Sequence, residues 1–319
     1  MTASTTPPDQ GRGPAAAPDA RSATDPSVLR ATAVSHIGFG AADPDHAAAF
    51  YQRVLGMVIQ QRHSDGRLRL GWGAGHHVIE VIPGVPGLRH YGFEVRDHGG
   101  LAAVKKRLHT AGVQYQPLEA GMIDAPAGPA EGIKLQDPDG TELHLHSPVV
   151  RSGENSADTG RRPIKYQHIT LSSDDAPRLV QFYRDIIGFR LTDKLADDSF
   201  FWLRSDRDHH SLACVESGRP GQIDHYSYDL ASWEDFKSWC DRLTELDIDV
   251  QWGPGRHGPG NNLFVFFDDP LGNHVELSAE MEKFHDDLAR IHHREWTPSP
   301  KAVNLWGGQT PVWRRVGPS

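Results

Sequence analysis

Two histidines and a glutamate stand at comparable points in the second half of the chain: His168 in QHITL, His225 in DHYSYDL and Glu276 in DPLGNHVEL. Neutral imidazole and carboxylate are natural ligands for divalent first-row metals. Two imidazoles and one carboxylate leave such an ion positively charged, with open positions. That donor set is the facial triad of non-heme Fe(II) oxygenases, and it suits a reaction in which an organic diolate and O2 bind side by side. Mn(II) is the second choice of metal. The same residue types also make a catalytic zinc site, so an isomerase, hydrolase or lyase is the rival chemistry.

The elements that must carry these residues come from a repeat. VSHIGFGAADPDHAAAFYQRVLGM matches YQHITLSSDDAPRLVQFYRDIIGF, with His36 to Tyr51 and His168 to Tyr183 both spanning 15 residues. The match continues through GHHVIEV and DHHSLACV, LRHYGFEV and IDHYSYDL, and DPDGTELHL and DPLGNHVEL, at an offset of 132 to 135 residues. Each early histidine sits in a short alternating strand, followed by an acidic turn and an amphipathic helix closed by Gly56 or Gly188, where a left-handed cap favours glycine. Each unit divides again at the HY segments, whose following helices are LAAVKKRLHTAG and SWEDFKSWCDRLTELD. The fold class is therefore α+β: two domains, each of two βαβββ modules forming a curved mixed sheet around a cavity. Alternation along QHITL puts His168 on one face with Tyr166 and Thr170, while Ile169 and Leu171 point the other way.

The expected boundaries are a disordered arm at 1–30, an N-terminal domain at 31–150, a polar linker at 151–163, a metal-binding domain at 164–285, and a tail at 286–319. The arm is rich in Pro, Ala, Gly, Ser and Thr and cannot repay its ordering entropy. The tail, with WTPSPKAVNLWGGQTPVW, is too aromatic for a plain linker and is expected to pack near the active site. A formal charge of −9 and the lack of a basic block argue against nucleic acid or an anionic membrane as partner. No apolar run reaches the roughly 20 residues of a membrane helix. The two cysteines, Cys214 and Cys240, form no disulfide framework and read as small buried residues. A cytoplasmic protein is the resulting expectation.

Taken in order, QHITL, DHYSYDL, GRHGPGN and DPLGNHVEL resemble the type I extradiol ring-cleaving dioxygenases of the vicinal oxygen chelate (glyoxalase–bleomycin resistance) superfamily. The nearest branch is that of the homoprotocatechuate and catechol 2,3-dioxygenases, and the likeness covers about residues 31 to 315. It implies an Fe(II) enzyme that cleaves a catechol-type ring with both atoms of O2, and His168, His225 and Glu276 as its ligands. It further implies that His210 is the acid–base histidine and that His257 contacts the substrate oxygen. Trp202, Asn261 and Phe266 fall at substrate-pocket positions. The partners would be a small aromatic diol and O2, with the chain in a homo-oligomer.

Two features depart from that pattern. Nine residues after His257 the family usually has a tyrosine, and here Phe266 cannot donate a hydrogen bond. The tail also lacks an arginine before WGG, so a carboxylate-bearing catechol is not expected. His274 reads as a strand neighbour of Glu276, and His209 as a structural or surface residue. In the first half His36, His90 and His144 match the three ligands, and His77 matches His210. An all-imidazole set is a known zinc arrangement, but the resemblance implies a scaffold with a vestigial cavity, and Ala125 falls where His257 would have its counterpart.

Overall fold

The computed structural model describes residues 33–73, 75–125, 128–149, 161–284 and 292–314. The expected arm at 1–30 lies outside the described residues, as do 151–160 of the expected linker and 285–291 and 315–319 of the C-terminal segments.

The first half runs β1 (Ala33–Ala41), α1 (Pro44–Leu55), β2 (Val58–Arg62), β3 (Leu68–Gly71), β4 (Ile79–Pro83), β5 (Gly87–Glu94) and α2 (His98–Thr110). It closes with β6 (Gln116–Pro117), the small hairpin β7 (Asp124–Ala125) and β8 (Gly128–Pro129), then β9 (Gly132–Gln136) and β10 (Glu142–His146). The second half runs β11 (Lys165–Ser173), α3 (Ala176–Gln181), β12 (Arg190–Leu195), β13 (Phe200–Arg204), β14 (Leu212–Glu216), β15 (Gln222–Asp229) and α4 (Trp233–Glu245). It ends with β16 (Val250–Arg256), β17 (Leu263–Asp268), β18 (His274–Ala279), β19 (Arg294–Trp296) and the short α5 (Pro300–Val303).

The sheet orders agree strand for strand. The first is β2-β3-β4-β1-β5-β10-β9-β6 and the second β12-β13-β14-β11-β15-β18-β17-β16, with β19 from the tail added beside β12. Both are mixed: β1 pairs parallel with β4 and antiparallel with β5, and β5 pairs parallel with β10. Local chemistry sets the helices that return each strand. Asp43 accepts from the His46 amide and Gly56 closes α1 at φ 65°, and Asp175 accepts from the Arg178 amide to open α3. In the second repeat the helix does not stay α to its end. Residues Phe182–Ile187 form a π turn, closed by Gly188 at φ 107°.

One hydrophobic core contains residues of both halves, with Phe39 packed on Tyr226 and Phe93 on Phe189. Reciprocal polar contacts lock it. Tyr51 of the first half and Tyr226 of the second donate to Asp269 Oδ2 at 2.8 and 2.9 Å. At the matching place Tyr91 donates to Asp137 Oδ2 at 2.7 Å and bonds Tyr183 of the second half. The aspartates of the two DP turns therefore join the halves. Trp239 is buried in this core, whereas Trp233 lies exposed at the start of α4.

One expectation fails in β11. Tyr166 is not beside His168: it stacks on Tyr228 in the core with Ile169 and Leu171, and its hydroxyl donates to the Val78 carbonyl. A bulge between Tyr166 and His168 inserts Gln167 and reverses the alternation. Bulges of this kind re-aim side chains next to sites.

Candidate metal centre and its surroundings

Three neighbouring strands supply the triad. Across β18, β15 and β11, Glu276 lies opposite Ser227, which lies opposite His168. His225 is two residues before Ser227 on the same strand and so shares its face. The ligating atoms converge: Nε2 of His168 and His225 are 3.0 Å apart, and Oε2 of Glu276 stands 3.1 and 3.4 Å from them. All three residues are buried.

The surroundings fit a cation. Oε2 of Glu276 is buried with no hydrogen-bond donor aligned on it, although Nε2 of His168 is close. Burial alone would raise the Glu276 carboxyl, but His168, His225 and His257 hold it well below the usual range, so it is ionised. Asp224 Oδ1 bonds Nδ1 of His225 at 2.7 Å, which fixes the proton there and turns the Nε2 lone pair inward. Gln167 approaches Nδ1 of His168 at 3.3 Å, and the Thr170 hydroxyl sits 3.0 Å from Nε2 of His225. Donor types, convergence and an orphaned anionic oxygen together suit a divalent ion of the iron–manganese–zinc series. The ion would bind His168, His225 and Glu276.

A pocket opens on this cluster, lined by Phe200, Trp202, His210, Pro259, Phe266 and Val303 as well as the triad and His257. Trp202 and Phe200 stack at 4.2 Å to make one apolar wall. Phe266, opposite Glu276 in the β17–β18 pair, makes another and lies 5.2 Å from the His225 ring. His210 packs 4.3 Å from His168, and its Nδ1 bonds Nδ1 of His209 at 3.0 Å. Burial first, then His168 and His209, push His210 well below the ordinary imidazole range, so it is neutral near pH 7. His257 donates from Nδ1 to the Val303 carbonyl, which leaves Nε2 facing Glu276 Oε1 at 3.6 Å. The tail thus helps to hold this cavity-lining imidazole.

Asn261 is the site residue that the fold does not bring in. It is exposed, at φ 55°, and its carboxamide accepts from Arg256. The left-handed backbone turns it out of the cavity and presents the next residue. Asn262 is buried and donates to Glu276 Oε1 at 3.1 Å and Ser278 Oγ at 2.7 Å. The adjacent asparagines in PGNN were the available signal. Of its two expected places, structural or surface, His209 takes the structural one. It is buried between His210 and Asp193, and Arg294 reaches both His209 and Asp193. His274 stays outside the cluster, bonded to Asp268 and stacked on Trp313. In the first half, His36, His90 and His144 form a second buried cluster.

A strand-for-strand duplicated βαβββ sheet pair, with a two-histidine, one-glutamate cluster in its second copy, defines a class. The model of the glyoxalase/bleomycin resistance protein/dioxygenase superfamily matches residues 33–145 and 165–277, and the chain belongs to that superfamily. Its relatives there include extradiol dioxygenases. The metapyrocatechase of Pseudomonas sp. (strain CF600) is 24% identical over 260 residues, covering 76% of this chain and 84% of that protein. The iron-dependent extradiol dioxygenase of Rhodococcus jostii (strain RHA1) is 27% identical over 283 residues, covering 80% and 89%. Among solved structures, the Mn(II)-bound glyoxalase from Novosphingobium aromaticivorans superposes with a TM-score of 0.76 at 27% identity, covering 87% of this chain and 91% of that one. Among the described residues, no helix is long and apolar enough to cross a membrane.

Proposed function

We propose that the chain is an Fe(II)-dependent extradiol dioxygenase that opens the ring of a catechol-type substrate beside its diol and places both atoms of O2 in the product. The observation that carries this reading is the convergence of His168, His225 and Glu276 at the floor of an apolar cavity that His210 and His257 also line. When bound, the ion would hold diol and O2 side by side and lower the barrier to their encounter.

The chain's own residues do the rest. Trp202, Phe200 and Phe266 exclude water and bound a flat apolar ring, while the wall they form offers no cation for a ring carboxylate. His210, neutral and backed by His209 through Nδ1, can take a proton at Nε2 when the diol binds and return it as the ring opens. His257, held at Nδ1 by the Val303 carbonyl, turns Nε2 toward the same space, within reach of a substrate hydroxyl. The ring supplies the electrons that reduce O2, so no external reductant is needed. A small aromatic diol and O2 are therefore the partners, and a homo-oligomer formed in the cytoplasm is part of this reading.

A metal-dependent isomerase, hydrolase or lyase is the rival, favoured by Phe266, which puts no phenol beside the cluster. The separating experiment is anaerobic Fe(II) loading followed by a panel of catechols without a carboxylate, monitored for O2 uptake and yellow ring-fission products. The dioxygenase reading expects both signals together and a requirement for ferrous iron; turnover of no catechol by fully loaded protein favours the rival.

A further inference from the structure

The first half repeats the ligand geometry with a different donor set. His144, Gly92 and His36 lie opposite one another across β10, β5 and β1, as Glu276, Ser227 and His168 do in the second half. His90 lies two residues before Gly92 and faces Gly38. A Cβ on Gly38 would come within 2.2 Å of the His90 ring, and one on Gly92 within 2.2 Å of the His36 ring. The two glycines are what let these imidazoles lie flat in the cluster.

The hydrogen bonds around the cluster orient two nitrogens toward each other. Nδ1 of His146 faces the Ser147 carbonyl at 2.8 Å and must carry the proton. Its Nε2 then accepts from the Ser35 hydroxyl, at 2.9 Å, and Ser35 Oγ in turn accepts from Nδ1 of His36 at 2.6 Å. Nε2 of His36 is left with a lone pair. On the other side Nε2 of His144 donates to Glu142 Oε1 at 2.8 Å, which leaves the lone pair on Nδ1. Those two nitrogens stand only 2.9 Å apart. In these tautomers neither has a proton for the other, and two facing lone pairs at that distance repel. Nε2 of His90 is buried there with no hydrogen-bond partner. Oε2 of Glu80 is likewise orphaned, 3.6 Å from it, while Oε1 is held by Arg69 at 2.7 Å.

We propose that His36, His90 and His144 hold a second divalent metal ion, of the zinc class, which acts as a structural clamp. Three imidazoles are a recognised zinc donor set, and the Glu142–His144 pair is the outer carboxylate that orients such a ligand. The ion would tie the adjacent strands β1, β5 and β10. It is not a second reaction centre, because the wall is different. Where the second half pairs Trp202 with Ala213 at its cavity, the first half pairs Arg69 with Glu80 and fills the space with an ion pair. The clamp is independent of the proposed reaction.

Zinc stoichiometry tests it. The full chain is stripped of metal, refilled with Zn(II), dialysed against a weak competing chelator and analysed for metal and protein. Two zinc ions per parent chain are expected, with one in Glu276→Ala and one in the double variant His36→Gln/His90→Gln. In Glu276→Ala, zinc should also raise the thermal unfolding midpoint, because binding at a site that exists only in the folded sheet stabilises it. One zinc in the parent, none in Glu276→Ala, or two in the double variant overturns the clamp.

Discussion

Asn262 donates from Nδ2 to Oε1 of Glu276 at 3.1 Å and so turns the other oxygen, Oε2, toward His168 and His225. A carboxylate free to rotate would present that oxygen only part of the time. Asn262→Ala should therefore keep the fold but weaken metal binding roughly 10- to 100-fold, the usual scale for removing an outer partner of a ligand. Competition of both proteins against a metal-sensitive dye measures this. Equal affinity would mean that Glu276 is positioned by the strand alone.

His210 packs against a ligand without belonging to the cluster. His210→Phe should retain iron and bind catechol, yet turn over about 100-fold or more slowly, as expected when a positioned proton-transfer group is lost. Iron content and single-turnover rates distinguish a lost proton carrier from a lost site. A near-normal rate removes His210 from the mechanism.

Much of this site was legible because chemistry-bearing residues recur at a fixed offset. His168, His225 and Glu276 fall at matching points of a duplicated module, and strand pairing then makes their convergence almost obligatory. What escaped was set by backbone detail. The bulge at Gln167 reverses one face of β11, and a left-handed residue at Asn261 exchanges two identical side chains. Alternation rules carry neither. The partners of His209 escaped for another reason: Asp193 and Arg294 lie 101 residues apart in sequence and meet only when the tail strand β19 joins β12. The Tyr–Asp contacts that join the halves depend on tertiary packing in the same way.

Phe266 faces the cluster from the strand beside Glu276, and a phenol there would lie near oxygen-centred charge as it develops. A donor of that kind stabilises the transition state more than the resting complex. Phe266→Tyr should bind iron and substrate as before and cleave simple catechols at least as fast as the parent. Steady-state O2 uptake on one catechol panel checks this. A slower variant would show that the cavity is shaped for a bulkier apolar ring or for another reaction.

Acid should unfold the metal-free protein earlier than its carboxylates alone would dictate. His36, His77, His90, His146, His168, His209 and His210 all lie below the ordinary imidazole range, with burial as the first cause, and His146 is lowered to about 4. In the unfolded chain they return to about 6.5. Because the folded values are the lower ones, the unfolded state takes up protons first as pH falls. The stabilisation is complete above about pH 6.5 and is lost below it, at up to about 1.4 kcal/mol per pH unit for each proton. Urea midpoints of the apo-protein should stay level above neutrality and drop progressively toward about pH 5. A midpoint that is flat through that window would mean the imidazoles are charged in the fold.

The most direct measurement follows the oxygen atoms. Fe(II)-loaded protein is mixed with a simple catechol under isotopically heavy O2, and the yellow product is collected for mass analysis. The expected product is a ring opened beside the diol that carries both heavy atoms, with one O2 consumed per ring and no product from the Glu276→Ala chain. A product carrying one heavy atom or none, or an unopened ring, would contradict it.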